Sequence, residues 1–148
     1  MSYDLRAAYV GDAGAVGAIL SSFIDTTPWM PRIHSRAEDI SFAGMMIDKG
    51  WVTVALQDDT CIGFAAREGT QVHALYVAAQ QQRSGAGTAL LNDMKYFSPQ
   101  LDLWTFQDNL PAQAFYLKHG FAEITRTDGA RNDEHLPDIR YVWDRKDM

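Results

Sequence analysis

Between Ala74 and Leu91 the chain changes its period within a few residues. Ala74-Leu75-Tyr76-Val77 reads as a strand. Gln80-Gln81-Gln82-Arg83-Ser84-Gly85-Ala86-Gly87 is polar and carries two glycines, and Leu90, Leu91, Met94 and Phe97 then form one apolar helical face that ends before Pro99. A strand that turns through glycine into a helix leaves the first helical N–H groups unpaired, at the positive end of the helix dipole. Such a turn suits phosphate or pyrophosphate, and glycine at 85 and 87 keeps side chains from holding a ligand away from the amides.

The rest of the chain supplies a sheet for that turn. Leu5 to Val10 reads as a first strand, and Asp12 is placed to cap a short helix through Val16, Ile19, Leu20 and Phe23, weakened by Gly14 and Gly17. Residues 25–34, with two prolines and no periodicity, form a loop, and the Ser-x-x-Glu capping box at Ser35 and Glu38 opens a helix over roughly 35–49. Trp51 to Leu56, Cys61 to Ala66 and Val72 to Val77 are short strand-like runs with tight polar breaks, an antiparallel meander. Leu101 to Phe106 is another strand. Asn109, Pro111 and Gly120 bracket a helix over Leu110 to His119, and Phe121 to Thr125 and Ile139 to Trp143 close the sheet. The order β-α-α-β-β-β-α-β-α-β-β predicts a single α/β (α+β) domain over 1–148, with a mixed, mostly antiparallel sheet of six to seven strands flanked by four helices.

Composition removes several functions. A formal net charge of −6 argues against nucleic-acid binding, which needs a basic surface. No window approaches a membrane span, and Met1 to Arg6 lacks the basic start and apolar core of a secretory signal, so a cytoplasmic place is expected. His34, His73, His119 and His135 lie far apart without metal-ligand spacing, so no metal is expected. Cys61 lies in an apolar run and reads as a small core residue.

The glycine turn does not fit two common phosphate loops. A P-loop needs lysine where Gly87 is followed by Thr88-Ala89, and a dinucleotide turn needs a third glycine where Leu90 stands. Gln82-Arg83-Ser84-Gly85-Ala86-Gly87, after a Leu-Tyr-Val strand, instead resembles the Gln/Arg-x-x-Gly-x-Gly/Ala signature of the GNAT N-acetyltransferase superfamily. Asn109-Leu110-Pro111-Ala112-Gln113-Ala114-Phe115-Tyr116, continuing to Gly120-Phe121, resembles that family's second segment, in the same order and at its usual separation.

The resemblance implies an acyltransferase that moves the acetyl group of acetyl-CoA to a primary amine. It implies that the amides of Arg83 through Thr88 hold the pyrophosphate, with Gln82 also at the cofactor, and that backbone groups of Leu75, Tyr76 and Val77 pair with the pantetheine arm. The Val77 N–H would face the thioester oxygen, and a splay is expected between the 72–77 and 101–106 strands. Asn109 and the small Ala112 would lie beside the cofactor, with Tyr116 as the general acid to the departing thiolate. The base is open between a water chain and His73, placed by alternation on the face of Leu75 and Val77. Trp29, Met30 and His34 would form one wall of the acceptor pocket. Asp133 and Glu134 either hold a cationic substrate or belong to a solvated loop. A peptide or small-molecule amine is the expected partner, and a homodimer is compatible with the family. The rival readings are a non-catalytic acyl-CoA sensor on the same fold and a nucleotide-phosphate binding module.

Overall fold

A computed structural model describes residues 3–81 and 85–145. Its strands are β1 (Asp4–Ala7), β2 (Val52–Gln57), β3 (Thr60–Glu68), β4 (Gln71–Val77), β5 (Gln100–Phe106), β6 (Ala122–Thr127) and β7 (Asp138–Asp144). The helices are α1 (Ala13–Thr26), α2 (Arg36–Asp48), α3 (Ala86–Phe97) and α4 (Leu110–Lys118), in the expected order. One seven-stranded sheet runs β1-β2-β3-β4-β5-β7-β6. Every neighbouring pair is antiparallel except β4 and β5.

Alternation along the strands divides the core into two layers. Val54, Phe64 and Ala74 pack with Val16, Ile19, Ala43 and Met46 from α1 and α2. On the other side Ala55, Ala65, Leu101 and Ile139 pack with Leu90, Leu91 and Met94 from α3 and Tyr116 from α4. Phe64, Met46, Leu90 and Leu91 are wholly buried, each contributing about 1.5–3 kcal/mol relative to an exposed side chain. No helix among the described residues is long and apolar enough to cross a membrane.

Local signals hold at most helix ends. Ser35 accepts from the Glu38 N–H and the Glu38 carboxylate accepts from the Ser35 N–H, at 3.1 and 2.9 Å. The Asn109 carboxamide oxygen accepts from the Ala112 N–H at 3.2 Å, with Pro111 in the first turn. The first strand stops at Ala7, with Val10–Asp12 in a short 3-10 turn, and three further readings change. Asp12 stands before α1 without capping it, because its carboxylate accepts from Arg6 (2.7 and 3.1 Å) and from the Tyr9 N–H (2.9 Å). The Arg6 guanidinium, opposed by partial burial, holds that carboxyl below its ordinary range. Phe97 is 63% exposed, at the end of α3, and does not join the buried face of Leu90, Leu91 and Met94.

Helix α1 is also longer than expected, at 14 residues. Its glycine is a packing device: a Cβ on Gly17 would lie 2.8 Å from the Ile40 Cα, so the missing side chain is what lets α2 cross this closely. Tertiary contact thus outweighs the low helix propensity of glycine. Gly17→Ala is expected to push the two helices apart and cost about 1–3 kcal/mol, read as a lower urea midpoint with an unchanged slope.

Candidate active site

The antiparallel strands are registered along their lengths, but β4 and β5 meet only where Gln71 lies beside Asp102, with the Asp102 N–H donating to the Thr70 carbonyl at 2.8 Å. Beyond that point the strands diverge. The Ala78 N–H donates to the Ile62 carbonyl at 2.7 Å. The two-residue alternation of an antiparallel ladder therefore turns the main chain of Ala74 and Tyr76 toward β3 and that of Leu75 and Val77 toward the gap. Leu75 and Val77 thus offer N–H and C=O groups to an inserted strand-like ligand. Tyr76 offers the gap its side chain instead.

The glycine turn lies at the end of this gap. Gly85 has φ of +96°, a left-handed conformation that suits glycine alone, and it immediately precedes α3. The Gly85 carbonyl accepts from the Ala89 N–H at 3.0 Å, so the amides of Ala86, Gly87 and Thr88 precede the helical ladder and have no partner within it. Gln82, Arg83 and Ser84 lie outside the described residues. Gly87 differs from the expectation: a Cβ there would meet the Phe115 ring at 3.6 Å and Val77 at 3.7 Å, ordinary contacts within the fold. Its lack of a side chain therefore faces α4 and β4.

Asn109, Ala112 and Tyr116 lie along α4 and line a narrow cleft of about 90 Å³ between β4 and β5. The Tyr116 ring is 8% exposed and packs edge-on against Phe115 and Phe121, with centroids 5.3 and 5.2 Å away. Its hydroxyl makes no hydrogen bond among the described residues, although no fully buried side-chain polar atom there is left unpaired. The oxygen therefore retains contact with the cleft. Burial pushes its pKa well up, and nearby Tyr76 adds to that shift. Burial, then the charge of Glu134, pushes Tyr76 up to about 12. At neutral pH both phenols are donors.

Aromatic rings wall the wide end of the splay. Phe23 of α1 lies 4.8 Å from the Tyr76 ring and 6.4 Å from Trp29, and Trp29 packs edge-on against Phe106 of β5 at 5.8 Å. Trp29 bridges α1 and β5. Met30 is half-buried and its N–H donates to the Thr27 carbonyl at 3.1 Å. The loop carrying both is held by Arg32, a residue the sequence reading did not single out. Its guanidinium donates to Asp25 (2.8 Å), Asp39 (2.9 Å), the Ser21 hydroxyl (2.6 Å) and the carbonyls of Ser21 and His34.

A second cavity, of about 490 Å³, opens beside Tyr76 and brings together His34, Glu38, His73, Asp133 and Glu134. His73 does not keep to the alternation with Leu75 and Val77. Ala66 pairs with Ala74 and Arg67 with Val72, leaving His73 as the unpaired residue of a bulge. Its ring stacks on Trp51 at 4.8 Å and its Nε2 lies 2.8 Å from a Glu68 oxygen. Cys61 is half-buried, and burial pushes its thiol up, away from nucleophile chemistry.

Residues 48–123, just over half the chain, match the acetyltransferase (GNAT) domain family. The chain belongs to the GNAT acetyltransferases. Peptidyl-lysine N-acetyltransferase YiaC of Escherichia coli K12 is 36% identical to it over 89 residues, which cover 59% of the chain and 59% of that relative's length. The fold is shared with apo YjaB of Escherichia coli (TM-score 0.81, 20% identity, covering 99% of this chain and 100% of that one). Ard1 from Thermoplasma volcanium is similar too (0.78, 16%, 99% and 100%), as is YncA from Salmonella typhimurium with acetyl-CoA (0.74, 16%, 100% and 96%).

The buried phenols give this GNAT domain a pH signature. Because the folded state keeps the Tyr76 proton up to about 12 while an unfolded phenol releases it near 10, the associated stability is intact below pH ~10 and is lost as pH rises through ~12. The measurement that checks this is a phenolate absorbance titration of the folded protein. Tyr76 and Tyr116 should stay neutral to about pH 11 unless the protein is unfolded, and Tyr76→Phe should remove a late-titrating group.

Proposed function

We propose that this GNAT protein is an N-acetyltransferase that moves the acetyl group of acetyl-CoA to a primary amine. The observation that carries this reading is Tyr116, a buried ring whose hydroxyl has no hydrogen bond among the described residues and keeps contact with the cleft. Acetyl-CoA supplies a thioester that an amine can attack without a covalent enzyme intermediate. The unladdered amides of Ala86, Gly87 and Thr88 hold its pyrophosphate. Leu75 and Val77 pair with the amides of its arm as an added strand would, and the Val77 N–H polarises the thioester oxygen. Asn109 and Ala112 line the same cleft.

In the transfer the amine nitrogen bonds to the acetyl carbon, the carbon–sulfur bond breaks, and the sulfur takes a proton from Tyr116. A free phenol near 10 is a weaker acid than a thiol near 8.5. Burial disfavours both anions in the same cleft, so the hydrogen bond from Tyr116 to sulfur matters more than the free values. The proton of the amine leaves through water or to His73, whose ring opens on the neighbouring cavity and is oriented by Glu68. Support for an amine acceptor comes from the carboxylates of Glu38, Asp133 and Glu134 around that cavity, and from the similarity to the Escherichia coli peptidyl-lysine N-acetyltransferase YiaC. Trp29, Met30 and His34 belong to the loop on the acceptor side.

Calorimetric titration with acetyl-CoA tests the reading, with ATP and NAD as controls. Micromolar acetyl-CoA binding is expected, lost in Gly85→Glu, which must retain the native circular dichroism. Preference for ATP or NAD would overturn the transferase assignment. Tyr116→Phe is expected to keep acetyl-CoA affinity within about threefold and lower kcat by about 10²-fold or more.

A further inference from the structure

One arginine stands apart. Among the described residues every other arginine donates to a carboxylate or a main-chain carbonyl. Arg131 has no hydrogen bond, ion pair or ring contact there. It lies on the loop between β6 and β7 and opens on a cavity of about 550 Å³ that Trp104 also lines. Trp104 alternates to the opposite face of β5 from buried Leu101 and Leu103, is 47% exposed, and has no ring partner among the described residues.

The loop holds this arrangement from its backbone. The Asn132 side chain donates to the Leu136 carbonyl at 2.7 Å and accepts from the Leu136 N–H at 3.2 Å, closing the turn next to Arg131. The carboxylates in the same cavity are already engaged. Asp128 accepts from the Ala130 N–H at 3.0 Å, and buried Asp138 accepts from Thr127 and from Asn132. Among the described residues, the charged group facing this space without a hydrogen bond is therefore the Arg131 guanidinium, whose planar fork fits a carboxylate with two parallel hydrogen bonds. The cavity shares Trp104, Thr105 and Phe106 with the cleft that holds Tyr116, so the two spaces adjoin along β5. Asp133 and Glu134, next along the same loop, face the other cavity beside Tyr76. One loop thus turns Arg131 to the β5 side and two carboxylates to the β4 side.

We propose that Trp104 and Arg131 form a carboxylate-binding part of the acceptor site, so that the amine acetylated belongs to a small molecule that also carries a carboxylate, as amino acids do. This rests on the transferase reading above. Arg131 would take the carboxylate, Trp104 would stack an apolar or planar group, and the acidic side would attract the ammonium end before it loses its proton.

The test separates the two claims. Calorimetry with acetyl-CoA reports the transferase reading, and the indole ¹⁵N–¹H signal of Trp104, assigned with Trp104→Phe, reports the subsite without turnover. Matched probes are L-phenylalanine against phenethylamine and L-lysine against cadaverine. At least one amino acid is expected to shift the Trp104 signal at a concentration about tenfold or more below its decarboxylated partner. Arg131→Gln should abolish that preference, and Arg131→Lys should retain part of it. Equal response to the amine, an undiminished preference in Arg131→Gln, or no response to any probe would overturn the subsite while leaving acetyl-CoA binding intact. Failure to bind acetyl-CoA would overturn the transferase reading, and the acceptor role with it, whatever the indole shows.

Discussion

The site depends on a hydrogen-bond ladder that stops early. The strands β4 and β5 are the one parallel pair in the sheet, and they meet at a single registered position, Gln71 beside Asp102. A parallel ladder continued to Val77 would satisfy the main chain of Leu75 and Val77 and close the sheet over the space below Tyr116. The divergence leaves strand edges in the middle of a sheet, where they are screened from other chains, while their polar groups stay available. The core on both faces holds the gap open: α1 and α2 pack on β2 to β4, whereas α3 and α4 pack across both sides of the splay.

Much of this was legible because it is encoded locally. The change from a period of two to a helical period at Gly85, the Ser35 and Glu38 capping box, and Asn109 with Pro111 each act within a few residues of where they stand. Features that depend on distant partners were not legible. Asp12 has the chemistry of a cap, yet Arg6 and the Tyr9 N–H take its oxygens. His73 follows a strand pattern in sequence, but a bulge against β3 turns it to Trp51 and Glu68. Gly17 looks like a weak point of a helix until Ile40 of α2 is placed against it.

The candidate site divides in the same way. Gly85, Ala112 and Tyr116 are carried by spacing along two helices. His34, Asp133 and Glu134 come from segments about a hundred residues apart in sequence and line one cavity. Residue type alone left the acidic loop open between a role and mere solvation. Phe23, Phe106 and Trp104 gave no sequence signal of a site, since an aromatic on a strand or helix reads first as core.

Arg32 separates the shape of a loop from its sequence. One guanidinium joins α1, through Ser21 and Asp25, to α2, through Asp39. The path between the helices is therefore set by residues on the helices and by one side chain between them. Ile33 and His34 are exposed, and the His34 ring meets Glu38 at 3.7 Å without joining the two helices. Exchange at those positions can alter what the loop presents to a neighbouring molecule without moving it, so new recognition properties can arise here at little cost to the fold.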